Sequence, residues 1–321
     1  MLTFAVRRIA YSIPVLLLAS ILVFLFVRET TDPLARYRAS PDKELVGRER
    51  KLLGLDKPIT HQYTTWLTNF VHGKWGDSFV SHRDVSKDIR ASLWNTMQLI
   101  IWGILFSAAC AIAIGVYSAA RQYSVLDYTF TGLSFVGLSM PVFWFALMSI
   151  QFLVYEPKRI FHLSQPILYS VGLHSATDHS LLDYGRHLVL PVLALSVQLI
   201  AGWSRYERAS MLDAMSSDYI RTARAKGVPR SKVLFKHGLR NALIPLTTIM
   251  AIDIGALFGG LIITETIFAW PGMGRLFVNA LINGDTNVLL PWLMITAAFI
   301  VLFNLLADVL YGVLDPRIRL A

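Results

Sequence analysis

The sequence has little of the polar material from which soluble domains are built. Only 16% of its 321 residues are charged, whereas about 25% of the residues in a soluble domain are. Its one cysteine, Cys110, lies within an apolar run, which excludes an intrachain disulfide and favours a small buried side chain. With 55% hydrophobic residues and a mean hydropathy of +0.52, the composition excludes an ordinary soluble domain.

Motifs that carry chemistry are also missing from the sequence. It has no G-x-x-x-x-G-K-[ST] phosphate-binding loop, and its eight histidines are too scattered for metal-ligand spacing. The sequence supports no Ser/His/Asp arrangement either. We therefore predict no catalytic residue, no metal site and no enzymatic activity. The net charge of +9 suggests nucleic acid, but many of the charges flank long apolar segments, so we predict no nucleic-acid partner.

Long uncharged segments are what the sequence has in abundance. A helix that rises about 1.5 Å per residue needs about 20 apolar residues to cross a bilayer. The sequence predicts spans at 9–27, 93–120, 128–155, 187–204, 241–265 and 286–312. The fourth is the weakest, because it is short and contains Pro191. We therefore predict an all-α polytopic membrane protein with six transmembrane helices.

The positions of basic residues predict how the chain is oriented. With six spans, the basic clusters at both chain ends, Arg121 and the loop 205–240 all fall on one side. Short loops rich in Lys and Arg are cytoplasmic, so both termini are predicted there. Five or seven spans would separate these clusters. The first apolar run is longer than the core of a signal peptide, and we interpret it as a retained anchor.

Between the first two spans, the sequence predicts a small helical external subdomain. Apolar side chains recur at helical spacing at positions 63, 66, 67, 70 and 71, after a plausible helix start at Asp56-Lys57-Pro58. A second stripe, Val85, Ile89 and Leu93, leads into the second span. We assign residues 1–91 to the anchor helix and this subdomain, and 92–321 to the membrane core. The alternative is loose amphipathic helices on the lipid surface.

Two acids and two glycines stand out near the fifth span. Asp253 interrupts it, and a carboxylate at the centre of a membrane helix costs about 2.5–3.5 kcal/mol. We interpret Asp253 either as a pathway-lining group or as the acceptor of an interhelical hydrogen bond. Glu265, at the outer end, is expected to organise the following turn. Gly255 and Gly259, spaced i and i+4, predict close helix packing.

The loop 205–240 is the most unusual segment for a membrane protein. From Arg205 to Arg240 it holds nine Lys or Arg residues against three acids. Its first part, 217–226, predicts a helix, which Gly227 can end in the left-handed region and Pro229 prevents from continuing. A second helical stretch leads to the fifth span. Without further information, such a loop could simply bind anionic lipid, at about 1 kcal/mol per basic residue.

Part of this loop resembles a known motif. The segment Tyr219-Ile-Arg-Thr-Ala-Arg-Ala-Lys-Gly227, followed by Asn241-Ala-Leu-Ile-Pro245, is similar to the EAA loop of type I ABC importer permeases. Arg221 and Thr222 stand where Glu and Ala are most usual, and the spacing from glycine to proline is longer. Both departures resemble the dipeptide/oligopeptide branch of that family.

Further segments carry the resemblance along nearly the whole chain. They are Leu53-Gly-Leu-Asp-Lys-Pro58 with Gln62-Tyr63, Gly76-Asp-Ser78, Glu265-Thr-Ile-Phe-Ala-Trp-Pro-Gly-Met-Gly274 and Asp315-Pro-Arg317. The long external region near the N-terminus resembles the B-type permease rather than the C-type. The resemblance implies the type I ABC importer fold and an inner-membrane permease subunit for dipeptides or oligopeptides.

The resemblance also implies partners and residue roles. The partners are a second, C-type permease, one or two cytoplasmic ATPases that hold ATP and Mg, and an external peptide-binding protein, so this chain itself needs no cofactor. The coupling residues are Tyr219, Arg221, Thr222, Ala223, Arg224, Ala225, Lys226 and Gly227. The candidates for an outer gate or for contact with the binding protein are Glu265, Phe268, Trp270, Pro271 and Gly272.

Three alternatives remain open at this point. Permeases for nickel chelates or other small solutes in the same family are similar in sequence. A secondary transporter or channel would work alone without ATP, although no inverted repeat between the halves is evident. A membrane-anchored scaffold would need no polar cavity.

Overall fold

A computed structural model describes the backbone of residues 2–32, 34, 43–52 and 54–314. Within these residues the chain is helical, and its one β feature is an isolated antiparallel bridge between Asp77 and Asp84. The prediction of an all-α membrane protein is therefore confirmed. The C-terminal motif at 315–317 lies outside the described residues.

Fourteen α-helices are present in the described part of the chain, and two π-helical segments join some of them. The helices are α1 Leu2–Thr30, α2 Lys43–Leu52, α3 Ile59–Val71, α4 Val85–Ala120, α5 Val125–Ser139, α6 Val142–Ile150, α7 Glu156–Ile160, α8 Leu181–Ser216, α9 Asp218–Ala225, α10 Arg230–Lys232, α11 Arg240–Gly260, α12 Ile262–Ile267, α13 Met273–Ile282 and α14 Thr286–Leu314. The π-helical segments are Gln151–Tyr155 and Val233–Leu239.

Five helical segments of the described chain are long and apolar enough to cross a membrane, and a bent pair of helices is the sixth candidate. The bent one consists of Val125–Ser139 and Val142–Ile160, which meet at 105°. The prediction of one continuous helix over 128–155 is wrong here, because Pro141 lacks an N–H group and holds Met140 in an extended conformation (φ −84°, ψ 122°). Six crossings result when the bent pair counts as one.

The helices that contain the second and fourth predicted spans are longer than the spans themselves. Helices α4 and α8 each contain 36 residues, or about 54 Å, so both extend beyond the hydrocarbon layer. Asp84 caps α4 by accepting hydrogen bonds from the backbone N–H groups of Ser86 and Lys87. Ser180 caps α8, which runs through Pro191 without ending. The helix therefore extends beyond the predicted span 187–204 at both ends, and its C-terminal part enters the basic loop.

Helices α4 and α8 pack closely along their length. A Cβ atom on Gly103 would lie 2.5 Å from the Leu195 side chain, and one on Gly115 would lie 2.6 Å from the Glu207 side chain. Such contacts require glycine, because it lets two helix backbones approach. The indole of Trp203 is buried beside Ala111 and joins this pair to α11. The membrane core is built around these three helices.

Helix α3, in the subdomain that is predicted to be external, packs on the C-terminal end of α1. The Phe24 ring lies 5.6 Å from that of Tyr63 and 5.5 Å from that of Trp66. The hydroxyl groups of Ser20 and Tyr63 are 2.7 Å apart. The predicted apolar face of α3 therefore packs on the protein, which argues against the alternative of a helix lying loose on lipid.

The segment after α3 is fixed to the opposite end of the chain. The Asp285 carboxylate is fully buried and accepts hydrogen bonds from Ser78 Oγ and Phe79 N, both at 2.7 Å. Asn287 Nδ2 donates to the Asp77 carbonyl at 2.9 Å. These contacts give the Gly76-Asp-Ser78 motif a structural role, because they join the external subdomain to the start of α14.

Candidate functional site

The predicted coupling helix is present as α9, a short helix with one buried face. Ile220 (0% exposed) and Ala223 (8% exposed) pack against Val233 in the π-helical segment that precedes α11. Met215, from the end of α8, completes this small cluster. The helix is therefore seated on the bases of both α8 and α11.

The opposite face of α9 is exposed and basic. Of the predicted coupling residues, Tyr219, Arg221, Thr222, Arg224, Ala225, Lys226 and Gly227 are exposed, and Ala223 is buried. The Arg221 guanidinium lies 3.5 Å from the Asp218 carboxylate, and both side chains remain largely in solvent. An exposed cationic face on a packed apolar base is suited to docking on another protein.

Gly227 ends α9 in the way that the sequence predicts. Its φ is +72°, in the left-handed region, and its N–H donates to Arg224 O while that of Val228 donates to Ala223 O. This is a glycine C-cap, and Val228 supplies the hydrophobic contact that often accompanies it. A Cβ atom on Gly227 would meet nothing within 4 Å, so backbone conformation and not space selects glycine.

A displacement of α9 would be transmitted to the helices that pack on either side of it. Met211 and Ala214 of α8 are buried against Ala242 of α11 and Val116 of α4. Gly238 lies against the same helix, since a Cβ atom there would be 2.9 Å from the Met215 sulfur. These packed contacts form a continuous connection from the exposed loop to three spans.

Glu207 is a buried acid whose importance the sequence does not reveal. It appears there as one of three acids in the basic loop, yet its side chain is 0% exposed where α8 crosses Gly115 of α4. Neither carboxyl oxygen has a hydrogen-bond partner among the residues that the structure describes. Only the packing of α4 on α8 places this group in the interior.

On the opposite side of the core, Glu265 organises the loop that joins α12 to α13. It lies on α12, which follows the end of α11 at Gly260. Its fully buried carboxylate accepts hydrogen bonds from Thr96 Oγ1 (2.6 Å), Gly274 N (2.6 Å) and Arg275 N (3.2 Å).

Trp270 fastens the same loop to α4. Its indole is 0% exposed, and Nε1 donates to the Asn95 carbonyl at 2.9 Å. In return, Asn95 Nδ2 donates to the Pro271 carbonyl at 2.9 Å. A Cβ atom on Gly272 would collide with the Glu265 carboxyl group. The loop is held by reciprocal contacts that need these residue types.

The predicted role of this loop as a contact surface does not fit the burial of its side chains. Glu265, Phe268, Trp270 and Gly272 are buried, and Pro271 is only partly exposed. A side chain that is packed inside its own chain cannot be the surface on which a binding protein lands. These residues hold the shape of the loop, and a gating role stays a prediction.

The structure also places the candidates of the fifth span. Trp203 Nε1 of α8 donates to Asp253 Oδ2 at 2.7 Å, so the half-buried acid takes part in the interhelical hydrogen bond that was one of its two interpretations. Gly255 faces α14, where a Cβ atom would lie 3.3 Å from Phe303 Cβ. The packing of Gly259 lies outside the described part of the structure. Among the described residues there is no group of three or more His, Cys, Asp or Glu side chains that could hold a metal ion.

Comparison with known proteins identifies similar chains over the full length. The family model described as "Binding-protein-dependent transport system inner membrane component" matches residues 111–320, and the model of the corresponding N-terminal region matches 1–100. The oligopeptide transport system permease protein AppB of Bacillus subtilis is 39% identical over 323 residues, which cover 99% of this chain and 100% of the relative.

Two relatives from Escherichia coli K12 are similar over the same extent. The dipeptide transport system permease protein DppB is 35% identical over 336 residues, and 99% of each chain is covered. The glutathione transport system permease protein GsiC is 36% identical over 325 residues, again with 99% of each chain covered.

Proposed function

This chain belongs to the family of binding-protein-dependent transport system inner membrane components, and we propose that it is the permease subunit of an ATP-driven ABC importer of dipeptides or oligopeptides. The observation that carries this proposal is the likeness to peptide permeases from end to end, together with the exposed basic face of α9 on a packed base. None of the three relatives described above is named for nickel, so the nickel-chelate alternative is not favoured.

The proposed assembly contains partners that supply what this chain does not provide by itself. A second, C-type permease encloses the other half of the pathway, and an external binding protein delivers the peptide. One or two cytoplasmic ATPases bind ATP and Mg, so this chain binds no cofactor and catalyses no reaction. The basic clusters at both chain ends and in the loop 205–240 support a cytoplasmic position for both termini and for α9, on the side of the ATPases.

The proposed mechanism is alternating access driven through α9. When ATP closes the ATPase pair, α9 moves with the surface to which it is docked. Because Ile220 and Ala223 are packed on Val233 and Met215, the movement is passed to the inner ends of α8 and α11. Tightly packed contacts of this kind shift as rigid units and do not absorb the displacement.

Purification from the native membrane tests this function. A tagged chain, gently solubilised, is expected to carry with it a second permease, an ATPase and a peptide-binding protein, which mass spectrometry would identify. After reconstitution into proteoliposomes, the assembly is expected to transport a radiolabelled dipeptide. Transport should require ATP on the side of the membrane where the ATPases lie. Solute movement by this chain alone without ATP would overturn the proposal in favour of a secondary transporter or channel.

A further inference from the structure

A cavity of about 440 Å³ lies between the outer end of α1, the external helix α3 and the start of α14. Its volume falls within the range of about 300–1,000 Å³ that is usual for ligand pockets. Its polar lining includes Arg28, Lys51, Lys57, His61 and Lys74. It is separate from the coupling loop and from the loop that Glu265 organises.

The polar part of the cavity is cationic. Among the residues that the structure describes, one arginine, three lysines and a histidine line it, and no aspartate or glutamate does. Lys51, Lys57 and Lys74 have no ion-pair partner among the described residues, and the Arg28 guanidinium donates to the uncharged Gln62 amide. The nearby acids of the chain, Glu29, Asp32, Asp56 and Asp77, lie outside the lining. The described part of the lining therefore offers positive charge without a carboxylate to balance it.

The other part of the cavity is aromatic. Consecutive rings run from the membrane span to the external subdomain, with Phe24 and Trp66 centroids 5.5 Å apart, Trp66 and Phe70 5.8 Å, and Phe70 and Trp75 5.7 Å. Leu290 lies on the opposite wall. A ligand that fills this space must have an apolar portion as well as an anionic group.

The position of the cavity gives such a ligand access from the bilayer. The outer half of α1 exposes Ile21 (41%) and Leu25 (38%), which precede the cavity residues Phe24 and Arg28 by three positions each and so lie on the neighbouring part of the helix surface. Arg28 follows directly, at the level where the apolar run ends. A molecule that is dissolved in the membrane with its headgroup at the interface meets both surfaces at once.

We propose that this cavity binds an anionic phospholipid, with its phosphate group among the basic residues and the first part of an acyl chain along the aromatic row. Phosphate pairs well with Lys and Arg. A peptide or a zwitterionic lipid carries an ammonium group, which has no carboxylate partner in this lining. The inference concerns the assembly of the chain in its membrane and is independent of the transported solute.

Native mass spectrometry of the intact importer tests the proposal. The purified complex is delipidated in detergent and titrated with phosphatidylglycerol or phosphatidylethanolamine, and the fraction with bound lipid gives an apparent Kd for each. The test variant is the double substitution Lys57→Gln/Lys74→Gln. The matched control is Lys87→Gln/Lys158→Gln, which removes the same charge from two exposed sites outside the cavity.

The expected result is a tight phosphatidylglycerol adduct that the test variant weakens about 30-fold, because each basic group contributes about 1 kcal/mol to binding of anionic lipid. The control and the unmodified complex should bind it equally, and phosphatidylethanolamine should bind weakly to all three. Size-exclusion profiles would show that each variant assembles.

Several outcomes would overturn the proposal. Equal phosphatidylglycerol binding by the test and control variants would place the lipid elsewhere. Displacement of the adduct by soluble glycerol phosphate at similar concentration would show a phosphate site that needs no acyl chain. Displacement by dialanine, sensitive to the test substitutions, would show a peptide site instead.

Discussion

At the scale of single residues, the chain relies on polar groups that are buried for a specific structural purpose. Glu265 accepts hydrogen bonds from two backbone N–H groups and from the Thr96 hydroxyl. Asp285 accepts hydrogen bonds from the Ser78 hydroxyl and the Phe79 N–H group. Each carboxylate replaces solvent for donors that would otherwise be unpaired. Loss of either acid would therefore leave several buried donors without an acceptor, which costs more than the bond itself.

The first prediction concerns the loop between α12 and α13, which Glu265 organises. Glu265→Ala should lower the free energy of unfolding by about 2–4 kcal/mol, because three donors lose their acceptor. Gly272→Ala should have a similar effect, since its Cβ would collide with the carboxyl group. Thermal unfolding and dipeptide uptake of the reconstituted importer would be measured. The control is Gly132→Ala, where a Cβ atom meets nothing within 4 Å. Unchanged stability in Glu265→Ala would contradict this account of the loop.

The second prediction concerns the end of the coupling helix. Gly227→Ala should reduce stability of the α9 turn by about 1–2 kcal/mol, because φ is +72° although space is free. Gly227→Pro and Ala223→Asp should abolish peptide-stimulated ATP hydrolysis, the first through its fixed φ and the second through a charge against Val233. Gly227→Asn should retain activity, because asparagine tolerates this conformation. Full transport by both disruptive variants would show that α9 is not the coupling element, provided membrane insertion is normal.

At the scale of elements, close helix contacts decide the arrangement of the core. The pairing of α4 with α8 depends on Gly103 and Gly115, where the side chains of Leu195 and Glu207 occupy the space of a missing Cβ atom. Without a strong hydrophobic driving force between helices in lipid, association depends on this kind of close fit.

The third prediction follows from that fit. Gly115→Ala should separate α4 from α8 and lower the melting temperature of the assembly, because the added Cβ atom would lie 3.0 Å from the backbone nitrogen of Arg208 and even closer to Glu207. Gly202→Ala on α8 is the matched control, since nothing lies within 4 Å of its Cβ position. That change should be neutral or stabilising by up to about 1 kcal/mol. Equal melting temperatures for the two variants would disprove a tight contact at Gly115.

At the scale of the whole molecule, the chain exposes surfaces that one polypeptide cannot cover. The outer faces of α1 and α5 carry many exposed apolar side chains, such as Leu18 (59%) and Leu133 (60%), which suit lipid or a second permease. The basic face of α9 lies on the opposite side of the membrane core from the loop that Glu265 organises. Apolar flanks and a charged end match a subunit that works within an assembly.

The fourth prediction tests the charged end. Arg221→Glu/Arg224→Glu should reduce co-purification of the ATPase at least about tenfold, because two exposed cations become anions at the proposed interface. Lys158→Glu/Arg159→Glu, on the opposite loop, should leave the amount of ATPase unchanged. Immunoblots of the purified assemblies would measure the ratio. Normal recovery with the first pair would mean that the cationic face does not contact the ATPase.

Local sequence signals determined the helices and several of the residues at which they end. Apolar runs longer than a bilayer is thick identified the spans, because backbone groups in lipid must be satisfied within a helix. Gly227 and Pro229 determined the end of α9, since their backbone preferences act within a few residues. The apolar face at Tyr63, Trp66 and Phe70 likewise predicted α3, which the structure contains.

Tertiary structure decided which of these residues meet. Pro141 interrupts its span, whereas Pro191 and Pro245 lie inside helices that continue, so the presence of a proline did not by itself decide which span bends. Glu207 and Trp270 become interior groups only because α4 packs against α8 and against the loop after α12. The cationic cavity brings the start of α14 next to residues of α1 and α3 that lie more than 200 positions earlier in the sequence. Such long-range proximity arises from helix packing, which no local spacing encodes.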